Sequence, residues 1–310
     1  MRYTAFFIGI ILLLTACLPT LRFEVDNVPT TTPNASQLTR VTSFANESTL
    51  DLDISPDGRF LLITTQKAGG FLGADTFGLS LIDPTKPEQT RPIGGSGFVE
   101  GTFMPDGNTI ILTNLNTPQQ QLVKTAIDGA GLTFISNNPF GASDQSPDIS
   151  PDGRKIAFNT GFAGSTTIAV VNIDGTELTT YVQGKGPKWS PDGSQILFYR
   201  DTGSSSRDIL ILDLATGAIT QLTTGSVNNY LPSWSPDGQR IVFTSNRSEE
   251  RAHIFTMNKD GSNIVQLTQG NSNNAWPIWS SDGFIYFSST AGSSKRGVSN
   301  VWRLLPEASN

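Results

Sequence analysis

The chain has 310 residues, a formal charge of −6 and only 15% charged side chains, enough length for one large all-β domain or two ordinary domains. An acidic chain without a basic stripe lacks the Lys and Arg that neutralise phosphates, which excludes nucleic acid as a partner. Gly, Ser, Thr, Asn and Pro are abundant, and no long stretch spaces apolar residues three and four apart, so short strands joined by turns are expected rather than packed helices.

The first 16 residues read as an export signal: Arg2, an apolar run over 5–14, then small residues before a cut. That run is too short to span a bilayer as a helix, which needs ~20 residues. Leu14-Thr15-Ala16-Cys17 holds the single cysteine of the chain and resembles the lipobox of bacterial lipoproteins. The resemblance implies that Cys17 carries lipid, and two or three acyl chains anchor durably where one does not. Residues 17–36, with Pro and Thr and no sustained periodicity, read as a tether. The expected location is the cell envelope, on the periplasmic side of an outer membrane or the outer face of the cytoplasmic membrane.

Residues 37–310 are built from one recurring unit. Asp-Gly recurs at Asp57, Asp106, Asp152, Asp192, Asp237 and Asp282, at intervals of 49, 46, 40, 45 and 45 residues. Three residues before each Asp stands Ile54, Phe103, Ile149, Trp189, Trp234 or Trp279. After it come apolar pairs two apart, such as Leu61 with Ile63 and Ile241 with Phe243, so each copy reads as strand, tight turn and strand with one apolar face. In these turns Pro presets φ, Asp accepts local amides and Gly closes the hairpin, so the six Asp residues are read as turn formers. A third alternating segment follows each hairpin, over 78–83, 121–128, 167–174, 208–213, 253–258 and 301–304, and in several copies a further Asp-Gly turn leads to a fourth. Four strands per ~45 residues is one propeller blade. The sixth copy runs out before a fourth strand; Gln37-Leu38-Thr39 echoes Gln221-Leu222-Thr223 and Gln266-Leu267-Thr268, so residues 37–42 are expected to supply the missing strand and close the ring.

The Trp-Ser-Pro-Asp-Gly-x-x-Ile-x-Phe repeats, with Asp-Gly-x-x-x-x-x-Leu-Thr between them, resemble the six-bladed propeller of bacterial TolB and its relatives. The resemblance covers residues 37–310 and implies an all-β ring of four-stranded antiparallel blades. It also implies a channel face that receives an envelope lipoprotein, whereas the N-terminal α/β domain of TolB has no counterpart in this chain.

No catalytic constellation stands out. Six symmetry-related turn carboxylates spread around a disc do not converge on one substrate as acid and base must. His253 is the only histidine, too few imidazoles for a His-rich metal centre, and it begins a strand, HIFTM, as a packed residue. There is no Gly-x-Ser-x-Gly elbow and no phosphate-cradling loop followed by a helix and Lys. The chain is therefore read as a monomeric, non-enzymatic binding module with no cofactor and no metal site, leaving open a hard cation such as calcium held by oxygens in the channel. Its partner is expected to be an envelope protein or peptide. Candidate contacts lie in the blade-to-blade loops: Asn228, Asn229 and Tyr230, the parallel Asn273, Asn274 and Trp276, and Asp144 and Glu100. The competing expectation is a carbohydrate-active or lactone-hydrolysing enzyme using Asp144, Glu100 or Asp51 around a channel cation.

Overall fold

The computed structural model describes residues 30–31, 35–69, 74–136, 142–162, 165–203, 206–248, 250–293, 295 and 297–306, with side chains from 38 onward. Cys17 and the signal segment lie outside these residues, as does most of the tether.

Blade 1 is Glu47–Ile54, Leu61–Lys67, Thr76–Ile82 and Arg91–Ile93, each strand antiparallel to the next. Blade 2 is Phe98–Phe103, Thr109–Asn114, Gln121–Ala126 and Thr133–Phe134; blade 3 is Ser143–Ile149, Lys155–Phe162, Ser165–Asn172 and Thr179–Gln183. Blade 4 comprises Lys185–Trp189, Gln195–Asp201, Arg207–Asp213 and Ile219–Gln221; blade 5 comprises Asn229–Trp234, Arg240–Ser245, His253–Asn258 and Val265–Gln266. Blade 6 takes Asn274–Trp279, Ile285–Ser289 and Asn300–Pro306 from the C-terminal part of the chain, and its outer strand is Ala35–Arg40. The ring is thus closed across the two ends, as the short sixth copy predicts.

The echo that suggested closure is nevertheless out of register. Thr223 and Thr268 accept the amides of Ile209 and Ile254 at 3.0 and 2.9 Å, and the hydroxyl that accepts the equivalent amide, that of Val301, belongs to Thr42 at 2.9 Å. Arg40 donates to Thr42 O at 2.7 Å, as Gln221 does to Thr223 O and Gln266 to Thr268 O. Arg40-Val41-Thr42, not Gln37-Leu38-Thr39, occupies the place of Gln-Leu-Thr. The spacing misleads because the crossing from Thr42 to Thr49, at the start of the blade 1 inner pairing, is one residue longer than those from Thr223 to Asn229 and from Thr268 to Asn274.

The core is six layers, each shared by two neighbouring blades. Leu62, Leu79 and Leu81 of blade 1 pack on Phe103, Ile110 and Leu112 of blade 2, while Leu61 and Ile63 of the same blade 1 strand pack on Ile278 and Tyr286 of blade 6. A single apolar face per strand was therefore too few. A blade between two neighbours buries both faces, which is why its second strand reads as a near-continuous apolar run such as LLITT. The last layer joins Trp279, Phe287 and Trp302 of blade 6 to Val242, Ile254 and Leu267 of blade 5.

Candidate functional site

The Asp residues of the hairpins accept the amide two residues on at 2.8–3.0 Å in all six blades. Where a Ser precedes the Pro, its hydroxyl donates to the same carboxylate: Ser55, Ser150, Ser190 and Ser235 to Asp57, Asp152, Asp192 and Asp237 at 2.6–2.7 Å. The amide of Arg59, then the Ser55 hydroxyl, hold Asp57 down at about 2, and the Ser190 hydroxyl with the amide of Ser194 does the same for Asp192. Carboxylates tied this way at the rim shape turns.

The loop candidates prove to be interior groups. Asn229 and Asn274 are fully buried: Asn229 accepts from Ser245 Oγ at 2.8 Å and Arg247 Nη2 at 2.7 Å, and Asn274 lies 3.3 Å from His253 Nδ1, itself buried. Tyr230 and Asn273 are buried too, the latter accepting from the amide of Ala252 at 3.3 Å. Asp144 is buried under Thr160, whose hydroxyl donates to it at 2.6 Å. Trp276 is half-buried against the layer between blades 6 and 1, and the amide of half-buried Asn228 donates to Asn246 Oδ1 at 2.8 Å. These side chains hold the blade-to-blade crossings together and offer a docked partner little or no surface; the sequence pattern that marked them is a repeated structural device.

Glu100 and Asp51 belong to a different environment, the wall of the central channel formed by the inner strands. Both interact electrostatically there with Asp53 or Lys188. Glu100 Oε2 accepts the amide of Ser146 in blade 3 at 2.7 Å. Asp53 Oδ2 accepts the amide of Phe103 in blade 2 at 2.8 Å, and Asp148 Oδ2 that of Trp189 in blade 4 at 2.7 Å. Each of these carboxylates thus clips the next inner strand to its own. Lys188 reaches back to Asp148 Oδ1 at 3.0 Å.

Burial along the channel shifts the proton affinities of these acids. Burial pushes Asp51 up to about 8; Lys188 opposes this, and Glu100 and Asp53 reinforce it. Asp53 rises to about 6 for the same first reason, again opposed by Lys188. Burial raises Glu100 and Asp148 as well. Burial works against the ammonium of Lys188, but Asp148, Asp53 and Asp51 outweigh it and its proton is held more tightly.

At the hairpin-turn end the channel widens into a cavity of about 190 Å³, walled by Asp53, Asp148, Lys188 and Ser233, by Trp189, Trp234 and Trp279, and by Ile278 with turn prolines 191 and 236. Five of these, Asp53, Asp148, Lys188, Ser233 and Ile278, stand four residues before their turn Asp. Sequence reasoning overlooked Asp53, Asp148 and Lys188, although this fixed offset was the available signal. Among the described residues no group of three or more His, Cys, Asp or Glu side chains is placed to hold a metal ion.

Residues 177–303 match the family model of the TolB β-propeller domain, and the six-bladed ring agrees with it. The described ring is a six-bladed β-propeller, similar over residues 177–303 to the TolB propeller domain. The propeller superposes on the structure of a putative TolB from Agrobacterium tumefaciens with a TM-score of 0.61 at 17% identity, over 84% of this chain and 91% of that one. It is similar also to an oligogalacturonate lyase solved in complex with manganese, with a TM-score of 0.56 at 14% identity over 90% and 96% of the two chains. Identities this low show a common fold alone. An uncharacterized protein of Agrobacterium fabrum is 27% identical over 140 residues, and the match spans 40% of the propeller chain and about half, 47%, of that relative.

Proposed function

We propose that this TolB-like propeller is a non-enzymatic, lipid-anchored module of the cell envelope that holds a protein or peptide at the hairpin-turn mouth of its channel. The observation that carries the reading is the cavity at that mouth, where carboxylates, an ammonium and three indoles line one space, the mixture of anchoring groups that protein recognition uses. The channel acids further support it, since Asp53, Asp148 and Glu100 each spend an oxygen on a neighbouring strand's amide. Leu14-Thr15-Ala16-Cys17 supports the anchor.

The experiment places a photo-crosslinking residue at exposed Arg154 or Gln239 on the hairpin-turn face, and at Thr224 on the opposite face, in intact cells of the native host. A discrete protein adduct from 154 or 239 and none from 224 is expected. Adducts from neither, or from 224 alone, would reject the reading. In the same cells Cys17→Ser is expected to move the protein from the membrane pellet to the soluble fraction.

A second reading, a carbohydrate-active or lactone-opening enzyme, draws on Asp51, whose carboxyl is pushed up to about 8 and so matches the needs of acid–base chemistry near neutrality. Turnover on a panel of glycans and lactones that is lost in Asp51→Asn would favour it over the binding module.

A further inference from the structure

The cavity has two unlike walls. Asp53 from blade 1 and Asp148 from blade 3 stand on one side, with Lys188 of blade 4 beside them; Trp234, Ile278 and Trp279 from blades 5 and 6 form the other. Behind Asp53 the channel holds Asp51 and Glu100, so four carboxyls share the field of one ammonium, which bonds Asp148. Arg240 already lies over the Trp279 ring, 4.4 Å from its centroid, so the cation–π contact falls to Trp234. An acidic wall opposite an indole is the environment that stabilises an organic cation on an apolar stem, through charge-assisted hydrogen bonds on one side and cation–π contact on the other.

One polar group of the wall residues is unpaired. Trp189 lines the cavity and is over nine-tenths buried, and its indole N–H has no acceptor. Its counterpart one repeat on, Trp234, donates to Lys188 O at 3.2 Å. A buried donor without an acceptor is costly, but this nitrogen is itself closed to solvent, so the unpaired group belongs to the blade interior and not to the cavity's occupant. The size of the space does bear on the occupant, because 190 Å³ falls below the several hundred Å³ that enclose a drug-sized ligand and suits one side chain. A hard divalent ion is less well served, since Asp53 and Asp148 each commit an oxygen to a backbone amide and indoles make half the wall.

We propose that this cavity seats one basic residue of the partner, a lysine, arginine or terminal ammonium, between the Asp53 and Asp148 carboxylates and the Trp234 ring. The inference rests on the reading of the propeller as a peptide-holding module and names what it holds. Because Asp51, behind Asp53, is pushed up to about 8 and keeps its proton through neutrality, a cation seated nearby favours its release, and affinity rises with pH.

The test titrates the full chain, in detergent, with acetyl-Gly-Lys-Gly-amide, with the same peptide carrying norleucine for lysine, and with calcium chloride, following indole fluorescence and calorimetry in two buffers of different protonation enthalpy. Saturable binding of the lysine peptide, weakened at least about tenfold by norleucine, with proton release, is expected. Asp53→Asn keeps an acceptor for the Phe103 amide, so an unchanged melting curve with about tenfold weaker lysine-peptide binding supports the site. Lys188→Met is expected to tighten binding by removing the resident competitor. Equal binding of the two peptides, no saturation by the lysine peptide, indifference to Asp53→Asn, or stoichiometric calcium that blocks the peptide would each overturn the inference. If Gln239 crosslinks a partner while the lysine peptide fails, this inference alone falls; if neither mouth position crosslinks, the binding-module reading falls with it.

Discussion

Asp51 shows how one channel residue can cost stability. Its folded-state carboxyl is pushed up to about 8, while in the unfolded chain it returns to the ordinary value near 3.9. Between those values the folded state holds a proton that the unfolded state has lost, so stability falls as pH rises through that window. Asp51→Asn removes the titrating group: thermal melts are expected to show a gain of roughly 2 kcal/mol at pH 8, a few degrees in Tm, and a flatter profile between pH 4 and 8. A variant that melts in parallel with the wild type at both ends would contradict this. Asn229 makes the opposite case. Truncating it to Ala takes one acceptor from Arg247, which donates to it at 2.7 Å and keeps only Ser245, leaves Ser245 without the oxygen it donates to at 2.8 Å, and takes a donor from Asp208 at 3.4 Å, so the urea midpoint is expected to fall by an equivalent of about 2–3 kcal/mol. A surface recognition residue would leave the midpoint where it was. Asn229 was legible only as a repeated pattern with Asn274, and pattern alone does not separate a buried crossing from a docking loop. Likewise Asp53, Asp148 and Lys188 occupy one offset in plain view, but alternation along a strand says which residues share a side, not which side faces the channel.

Strand by strand, the repeats carried the blade count and the closure, because the turn chemistry recurs with every hairpin and its six copies admit few other arrangements. What they could not carry was register at the seam. A three-letter echo at 37–39 outweighed the equivalent residues at 40–42 because the crossing from Thr42 into blade 1 is one residue longer than its counterparts and Arg40 does with its guanidinium what glutamine does elsewhere. The two registers make different predictions. Thr42→Val removes the hydroxyl that accepts the Val301 amide at 2.9 Å and donates to Asn300 Oδ1 at 3.1 Å, both buried, and is expected to cost about 1–2 kcal/mol in urea unfolding. Thr39→Val alters an exposed side chain and is expected to stay within about 0.5 kcal/mol. The reverse ranking would restore the register that the sequence alone favoured.

For the molecule as a whole, the seam is where a ring gains from having its ends inside one blade. Ala35 and Pro306 are direct partners across the outer pair of blade 6, which places the two ends of the described ring where blades 3 to 5 have a short turn between third and outer strands. A circular permutant can use this: an Asp-Gly turn joins 306 to 35, and new ends open in the exposed linker at Gly225 and Ser226 between blades 4 and 5. Every strand pair of the six blades survives in that chain, so the same circular dichroism spectrum is expected. The break, however, now falls between two blades, where side-chain packing and a few crossing contacts, such as the Arg207 amide to Val227 O and Trp234 Nε1 to Lys188 O, each at 3.2 Å, oppose opening, instead of within a hydrogen-bonded sheet. The urea midpoint should therefore drop, and the loss should fall mainly on the unfolding rate, because prising apart two blades exposes one core layer without first breaking a ladder. A permutant as resistant to unfolding as the parent would mean that the shared blade contributes nothing to closure, and that the six interblade layers hold the ring by themselves.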